Sequence, residues 1–315
     1  MARSPVAMEK ILSGDRVAVA RAISVVENGE GGARALLRSL FARTGRSYRV
    51  GITGPPGAGK STITSRLAMH YRERGLGVGI IAVDPTSPFS GGALLGDRVR
   101  MGDVETDTGV FIRSMASRGS LGGLSRTAVE AADVLDAAGK EIIIMETVGV
   151  GQSELDIAGA ADTTVVVLVP EAGDSIQAMK AGLMEIADFF VLNKADRAGA
   201  EQAVMSIQMI LHFRDPADWN PTVLKATAST GAGITEIAAL IDGHRAHLEA
   251  SGALEVKRRK RIAQRIGDLV SETLRVDFWS PERKAMLAAR VEAVMQMVSS
   301  PYDVADELID HFKSR

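Results

Sequence analysis

The sequence predicts an α/β protein with a mostly parallel, doubly wound sheet, a helical extension before it and a helical arm after it. Three observations carry this prediction. Short apolar runs alternate with helical patterns from about residue 47 to residue 228. Several of those runs are unbroken stretches of Val and Ile, as expected of parallel strands covered on both faces. A glycine-rich octet, Gly54-Pro55-Pro56-Gly57-Ala58-Gly59-Lys60-Ser61, separates the first apolar run from the first amphipathic helix. At 315 residues the chain is long enough for one large core with smaller elements attached. The organisation read from it is an extension over 1–45, an α/β domain over 46–250 and an arm over 251–315.

Before the sheet, Val19, Ile23 and Val26 share one helical face, and Leu36, Leu37, Leu40 and Phe41 a shorter one; Asp15, following Gly14, is the expected N-cap. Strands are expected at 48–53, 78–83, 110–113, 142–146, 164–169, 189–193 and 222–227. The arm carries apolar faces at Ile262, Ile266, Leu269, Val270 and Leu274, then at Leu287, Val291, Val294 and Val298, then at Val304, Leu308, Ile309 and Phe312. Lys257-Arg258-Arg259-Lys260-Arg261 is expected to begin the first of these helices as a solvated stretch. The faces must be covered, either by a second copy in a dimerisation arm or by the chain's own core.

Composition narrows the function classes. A net charge of −2 argues against a general nucleic-acid or membrane-surface binder. The absence of cysteine removes disulfides, thiolate metal sites and thiol nucleophiles. The N-terminal residues have no apolar core of the signal-peptide kind, so a cytoplasmic address is the simplest expectation.

The octet is a phosphate-binding loop of the P-loop NTPase type. Glycines at 54, 57 and 59 allow positive φ and turn backbone N–H groups inward toward a di- or triphosphate. Gly54, Gly57, Ala58, Gly59, Lys60, Ser61 and Thr62 are therefore candidate nucleotide contacts. Lys60 reaches for the β- and γ-phosphates, and the Ser61 hydroxyl is a candidate Mg²⁺ ligand. Asn193-Lys194-Ala195-Asp196 follows the run Phe189-Phe190-Val191-Leu192. There Asp196 can accept from guanine N1–H and N2, which adenine does not supply. An unpaired carboxylate costs about 1–3 kcal/mol or more, hence roughly tenfold to a hundredfold preference for GTP. Asn193 braces base and loop, and the Lys194 stem packs on the ring. Ala226-Thr227-Ala228-Ser229 is placed to offer backbone donors to the guanine oxygen.

Asp84, Asp97 and Glu146 are the carboxylates expected, one or two of them and directly or through water, to complete a Mg²⁺ shell with Ser61. The Gly149 N–H is a candidate γ-phosphate contact and the stretch from Asp84 to Met101 a candidate switch. Many GTPases carry a water-orienting glutamine after the glycine equivalent to Gly149, whereas here Val150 follows it. Slow intrinsic turnover is expected, with help from Gln152 or from the loop 170–180. Lys180 is that loop's candidate cation, worth on the order of 10³–10⁵ in rate where such a cation is used. His244 and His247 share a helical face without a third ligand and are expected at the surface.

Together, Gly54 to Ser61, Val83-Asp84-Pro85-Thr86-Ser87, Gly91-Gly92 with Leu95-Gly96-Asp97, Glu146 to Glu154 and Asn193 to Asp196 resemble the MeaB/ArgK-type GTPases, relatives of the methylmalonic aciduria type A protein. The likeness runs from Leu12 to about Gly252. It implies a homodimeric GTP hydrolase that acts as chaperone of an adenosylcobalamin-dependent acyl-CoA mutase, gating cofactor loading and the removal of inactive cofactor. By resemblance, Gly57, Gly59 and Lys60 bind phosphate; Ser61, Asp84, Asp97 and Glu146 hold the metal; Asn193 and Asp196 select the base; and the loop with Gln177 and Lys180 senses the mutase. An adenosyltransferase is a further partner the resemblance allows. Differences at Thr86, Ser90, Glu171 and Ser175 leave open whether the client is methylmalonyl-CoA mutase or another 2-methyl- or hydroxyacyl-CoA mutase. No cobalamin-binding histidine motif is visible, so the cobalamin is expected in the mutase. Two other classes compete: a nickel metallochaperone GTPase, which would need Cys or clustered His, and a nucleotide-dependent kinase, which would prefer ATP.

Overall fold

The computed structural model describes residues 8–84, 104, 106–116, 126–147, 153–170, 182–212 and 218–314. The chain groups into two compact units, Met1–Glu255 and Val256–Arg315.

The first unit is built on a seven-stranded sheet: β1 (Tyr48–Thr53), β2 (Val78–Asp84), β3 (Val110–Ala116), β4 (Ile142–Thr147), β5 (Thr163–Leu168), β6 (Phe189–Leu192) and β7 (Val223–Lys225). Their order is β3-β2-β4-β1-β5-β6-β7, and every adjacent pair is parallel. The expected mostly parallel sheet is thus parallel throughout. All six residues of β1, β4 and β5 are buried, which is why those strands read as continuous apolar runs rather than alternating ones. The strand order reverses at β1, whose neighbours β4 and β5 diverge to either side, and open α/β sheets take their ligands beyond the carboxyl ends at such a point.

Helices cover both faces. On one, α4 (Lys60–Glu73) and α9 (Ile234–Ala250) contribute Ile63, Leu67, Tyr71, Ile237 and Ile241 to a core with Val50, Ile52, Ile80 and Val165. On the other lie α5 (Arg126–Ala137) and α6 (Ser153–Ala160), joined by the N-terminal helices α1 (Met8–Leu12), α2 (Arg16–Glu27) and α3 (Ala33–Leu40). The single turn α7 (Met184–Ile186) and α8 (Ala200–His212) close that face over β5 and β6. Asp15 caps α2 as expected, accepting from Ala18 N–H at 2.8 Å, and Val19, Ile23 and Val26 are buried. Phe41 departs from expectation at 62% exposed. Its N–H still bonds the Leu37 carbonyl as in the helix, and the one helical step from Leu40 turns it off the face that Leu40 buries, where the 3₁₀ turn Phe41–Arg43 begins.

His244 also departs from expectation. It is buried, with Nδ1 2.8 Å from Thr163 Oγ1, which is itself 2.5 Å from the Tyr48 hydroxyl; its Nε2 lies 3.5 Å from Asp188 Oδ1. Trp219 packs against it, the two rings tilted by 46° with centroids 4.6 Å apart, and donates to the Asp188 carbonyl at 2.8 Å. These groups tie the entry ends of β1, β5 and β6 to α9. A helical face with two histidines reads as polar, yet one of them is a core residue because strand-end hydroxyls satisfy its ring. Burial drives the Tyr48 phenol well above its ordinary value, so it stays neutral.

The C-terminal helices are α10 (Ala253–Phe278), α11 (Pro281–Met295) and α12 (Pro301–Lys313). The basic run 257–261 sits one turn inside α10 rather than at its start. Ser280 and Ser300 cap α11 and α12, the latter through a reciprocal capping box with Asp303, and a proline follows each cap. Arg283 is buried between the rings of Phe278 and Phe312, donating to the carbonyls of Phe278 and of Asp277 (2.6 Å). It thereby satisfies the last carbonyls of α10 and pins α12 to the α10–α11 turn. Ile262, Ile266, Val270 and Leu274 are between 49% and 57% exposed, an apolar stripe along α10. Among the described residues no helix is long and apolar enough to cross a membrane.

Candidate functional site

The glycine loop leaves β1 at the strand-order reversal. Gly54 has φ +133°, and a Cβ there would lie 2.0 Å from the Val167 carbonyl oxygen, so the loop passes directly over β5. Gly59 has φ +87°, and its Cβ would lie 2.3 Å from Asn193 Nδ2. Only glycine meets both requirements at these positions. Gly59 is also the N-cap of α4 and carries no capping side chain. The first-turn N–H groups of Ser61 and Thr62 donate to no described residue and are left for an anion, which the helix dipole favours there.

Lys60 is buried with Nζ donating to the carbonyls of Gly54 (2.8 Å) and Pro55 (2.9 Å). The ammonium is thus held inside the loop. Ser61 Oγ donates to Glu146 Oε1 at 2.5 Å, and Glu146 is only 4% exposed. The pairing follows from the register, since Ile52 of β1 lies beside Glu146 of β4. A buried carboxylate against a helix-start hydroxyl is an all-oxygen donor pair of the kind Mg²⁺ takes, so these residues fit the metal expected of them. Asp84 is the last residue of β2, next to β4 in the sheet. Asp97, Gly149, Gln152, Gln177 and Lys180 lie outside the described residues.

Asn193 joins the two halves of the site. It is 3% exposed; its Nδ2 donates to the Ala58 carbonyl at 2.8 Å and its Oδ1 accepts from Ala228 N–H at 3.0 Å. One side chain thereby sets the glycine loop against the loop after β7. Lys194, at φ +57°, donates from Nζ to the Gly57 carbonyl at 2.8 Å. Asp196 is exposed and accepts from Thr227 Oγ1 at 3.4 Å. In the stretch 226–229, the N–H groups of Ala226, Thr227 and Ala228 donate to Leu192 O, Ala232 O and Asn193 Oδ1. The Ser229 N–H donates to no described residue, and the Ser229 carbonyl accepts from Arg66 Nη2 at 3.2 Å. The donor expected of this stretch therefore narrows to Ser229.

Sequence reading missed three groups. Thr147 Oγ1 donates to Thr53 Oγ1 at 2.9 Å, both buried, linking the ends of β4 and β1 just before the glycine loop. Arg66 and Thr227 are the other two. Their only signal is position, a hydroxyl at a strand end or an arginine two turns into the loop helix, and neither stands out until the strands are paired.

The family model described as methylmalonyl Co-A mutase-associated GTPase MeaB matches residues 19–283. A Pyrococcus abyssi protein that carries a provisional GTPase name is 48% identical over 306 residues, 96% of this chain and 94% of the relative. The mouse methylmalonic aciduria type A homolog is 35% identical, covering 97% of this chain and 78% of that protein. The solved structure of a LAO/AO transport system kinase aligns with a TM-score of 0.75 at 29% identity, over 99% of each chain. On this family match and these relatives, the chain belongs to the MeaB family of GTPases.

Proposed function

We propose that this chain is a GTP-hydrolysing chaperone of an adenosylcobalamin-dependent acyl-CoA mutase, methylmalonyl-CoA mutase or a related enzyme. The observation that carries the nucleotide assignment is the Asn193 bridge, which joins Ala58 of the glycine loop to Ala228, the residue before Ser229, from a position three residues ahead of Asp196. Family membership supplies the client class. In this reading Asp196 takes the guanine N1–H and N2 donors and the Ser229 N–H faces the guanine oxygen. The first-turn amides of α4 cradle the phosphates, and Lys60 exchanges its two carbonyls for phosphate oxygens. Ser61, Glu146, Asp84 and Asp97 hold Mg²⁺, which neutralises the phosphate charge when bound. Gly149 senses the γ-phosphate, and Gln177 and Lys180 act from the loop that responds to the mutase. The cobalamin stays in the mutase.

The exposed stripe on α10 supports a homodimer, because four half-exposed aliphatic side chains in i, i+4 register suit a second copy of the same face. Sedimentation velocity of an Ile266→Glu, Leu274→Glu variant is expected to show a monomer; a variant that sediments as the wild type removes this element.

The central test is phosphate release from GTP and ATP at matched concentrations, with and without candidate acyl-CoA mutases. Slow, GTP-only turnover that rises strongly with one mutase is expected. Equal ATP turnover overturns the base assignment, and a GTPase indifferent to every mutase overturns the client.

A further inference from the structure

A second cavity lies at the other end of the sheet from the glycine loop. It has a volume of about 220 Å³ and is bounded by Leu12 at the end of α1, by Arg43 and Arg46 ahead of β1, and by Asp136, Lys140 and Glu141 between α5 and β4. Arg43 and Arg46 lie just ahead of β1 and Lys140 and Glu141 just ahead of β4, so this cavity is at the entry ends of the strands, away from the glycine loop at their carboxyl ends.

Its charges are unbalanced. The Asp136 carboxylate, although part of the wall, is spent: it accepts from the backbone N–H groups of Gly45 (2.7 Å), Ser47 (3.0 Å) and Arg46 (3.2 Å) and lies 3.9 Å from Arg49 Nη2. Glu141 accepts from Gly77 N–H at 2.9 Å. Lys140 donates to the Gly109 carbonyl at 2.8 Å. The guanidinium groups of Arg43 and Arg46 make no hydrogen bond or ion pair with any described residue. Three cations, Arg43, Arg46 and Lys140, thus border the cavity against two carboxylates, and Arg49 is shared, lying 2.7 Å from Asp133 as well. Two guanidiniums that line one small cavity repel less when an anion lies between them, and their planar forks match phosphate and carboxylate oxygens.

We infer that this cavity is a binding site for a small phosphate-type dianion, with Arg43 and Arg46 as its ligands. Ligand pockets for larger molecules run to roughly 300–1,000 Å³. A cavity of about 220 Å³ therefore suits inorganic phosphate or the phosphate of a monoester, not a whole nucleotide. Asp136 holds the two arginines in place, because its three backbone hydrogen bonds fix the turn from which they project.

The test uses the full chain with its nucleotide crevice filled by a non-hydrolysable GTP analogue and Mg²⁺, so that the glycine loop takes up no phosphate. Inorganic phosphate is titrated by calorimetry into the wild type and into an Arg43→Ala, Arg46→Ala variant. Both positions are exposed, so the variant is expected to keep the wild-type melting temperature in phosphate-free buffer. Saturable binding is expected in the wild type, weakened at least tenfold in the variant. Succinate, a dicarboxylate of similar charge, is expected to bind more weakly than phosphate. Identical phosphate isotherms for the two proteins overturn the site. An acidic peptide that binds at the arginines while phosphate does not overturns the ligand class.

Discussion

Replacing Asn193 by alanine tests the idea that one side chain holds the site together. The substitution removes two buried hydrogen bonds and leaves the Ala58 carbonyl and Ala228 N–H facing a small void; the two flanking residues are themselves buried. A neutral hydrogen bond contributes about 1 kcal/mol net, and a buried polar group left unpaired costs about 1–3 kcal/mol, so the loss is about 2–4 kcal/mol. At roughly 2–4 °C per kcal/mol for a chain of this size, the melting temperature falls by roughly 5–15 °C. The glycine loop and the loop after β7 also lose their common brace, so guanine nucleotide binds at least about tenfold more weakly, or about 1.4 kcal/mol. Thermal unfolding by circular dichroism, with and without Mg·GDP, reads both effects. An unchanged melting temperature together with unchanged GDP affinity refutes the bracing role.

Thr147→Val removes the hydroxyl link to Thr53 and is expected to cost about 1 kcal/mol, seen as a drop of roughly 2–4 °C in melting temperature; an unaltered melting curve contradicts the link. Arg283→Met keeps the stem between Phe278 and Phe312 but leaves the last carbonyls of α10 without their donor, so amide exchange across α11 and α12 should accelerate, and equal protection factors count against the pin. The third concerns acid. Asp107 sits below its ordinary 3.8 because the Gly109 N–H, and then Arg72, favour its carboxylate. Its contribution to stability is therefore present above the unfolded pKa and lost as pH falls through the folded value. Asp107→Asn should flatten the stability decline on the acid side of about pH 4, and a decline as steep as in the wild type rules the contribution out.

Local chemistry made much of this protein readable in one dimension. The strands of a parallel sheet are buried on both faces, so they stand out as apolar runs. The glycine loop is recognisable because Gly54 and Gly59 each answer to a conformation and a close approach that no other residue tolerates. Capping residues such as Asp15 act within three residues of themselves, so they too are visible in the chain. Tertiary structure decided what depends on partners far apart in sequence. Asn193 lies 135 residues from Ala58, Glu146 85 residues from Ser61, and His244 81 residues from Thr163. Nothing in the local pattern says that His244 will be buried, that Ser61 will donate to Glu146, or that Arg43 and Arg46 will border one cavity. Those outcomes follow from strand order and register, which bring chain segments together at fixed spacing only once the sheet has formed.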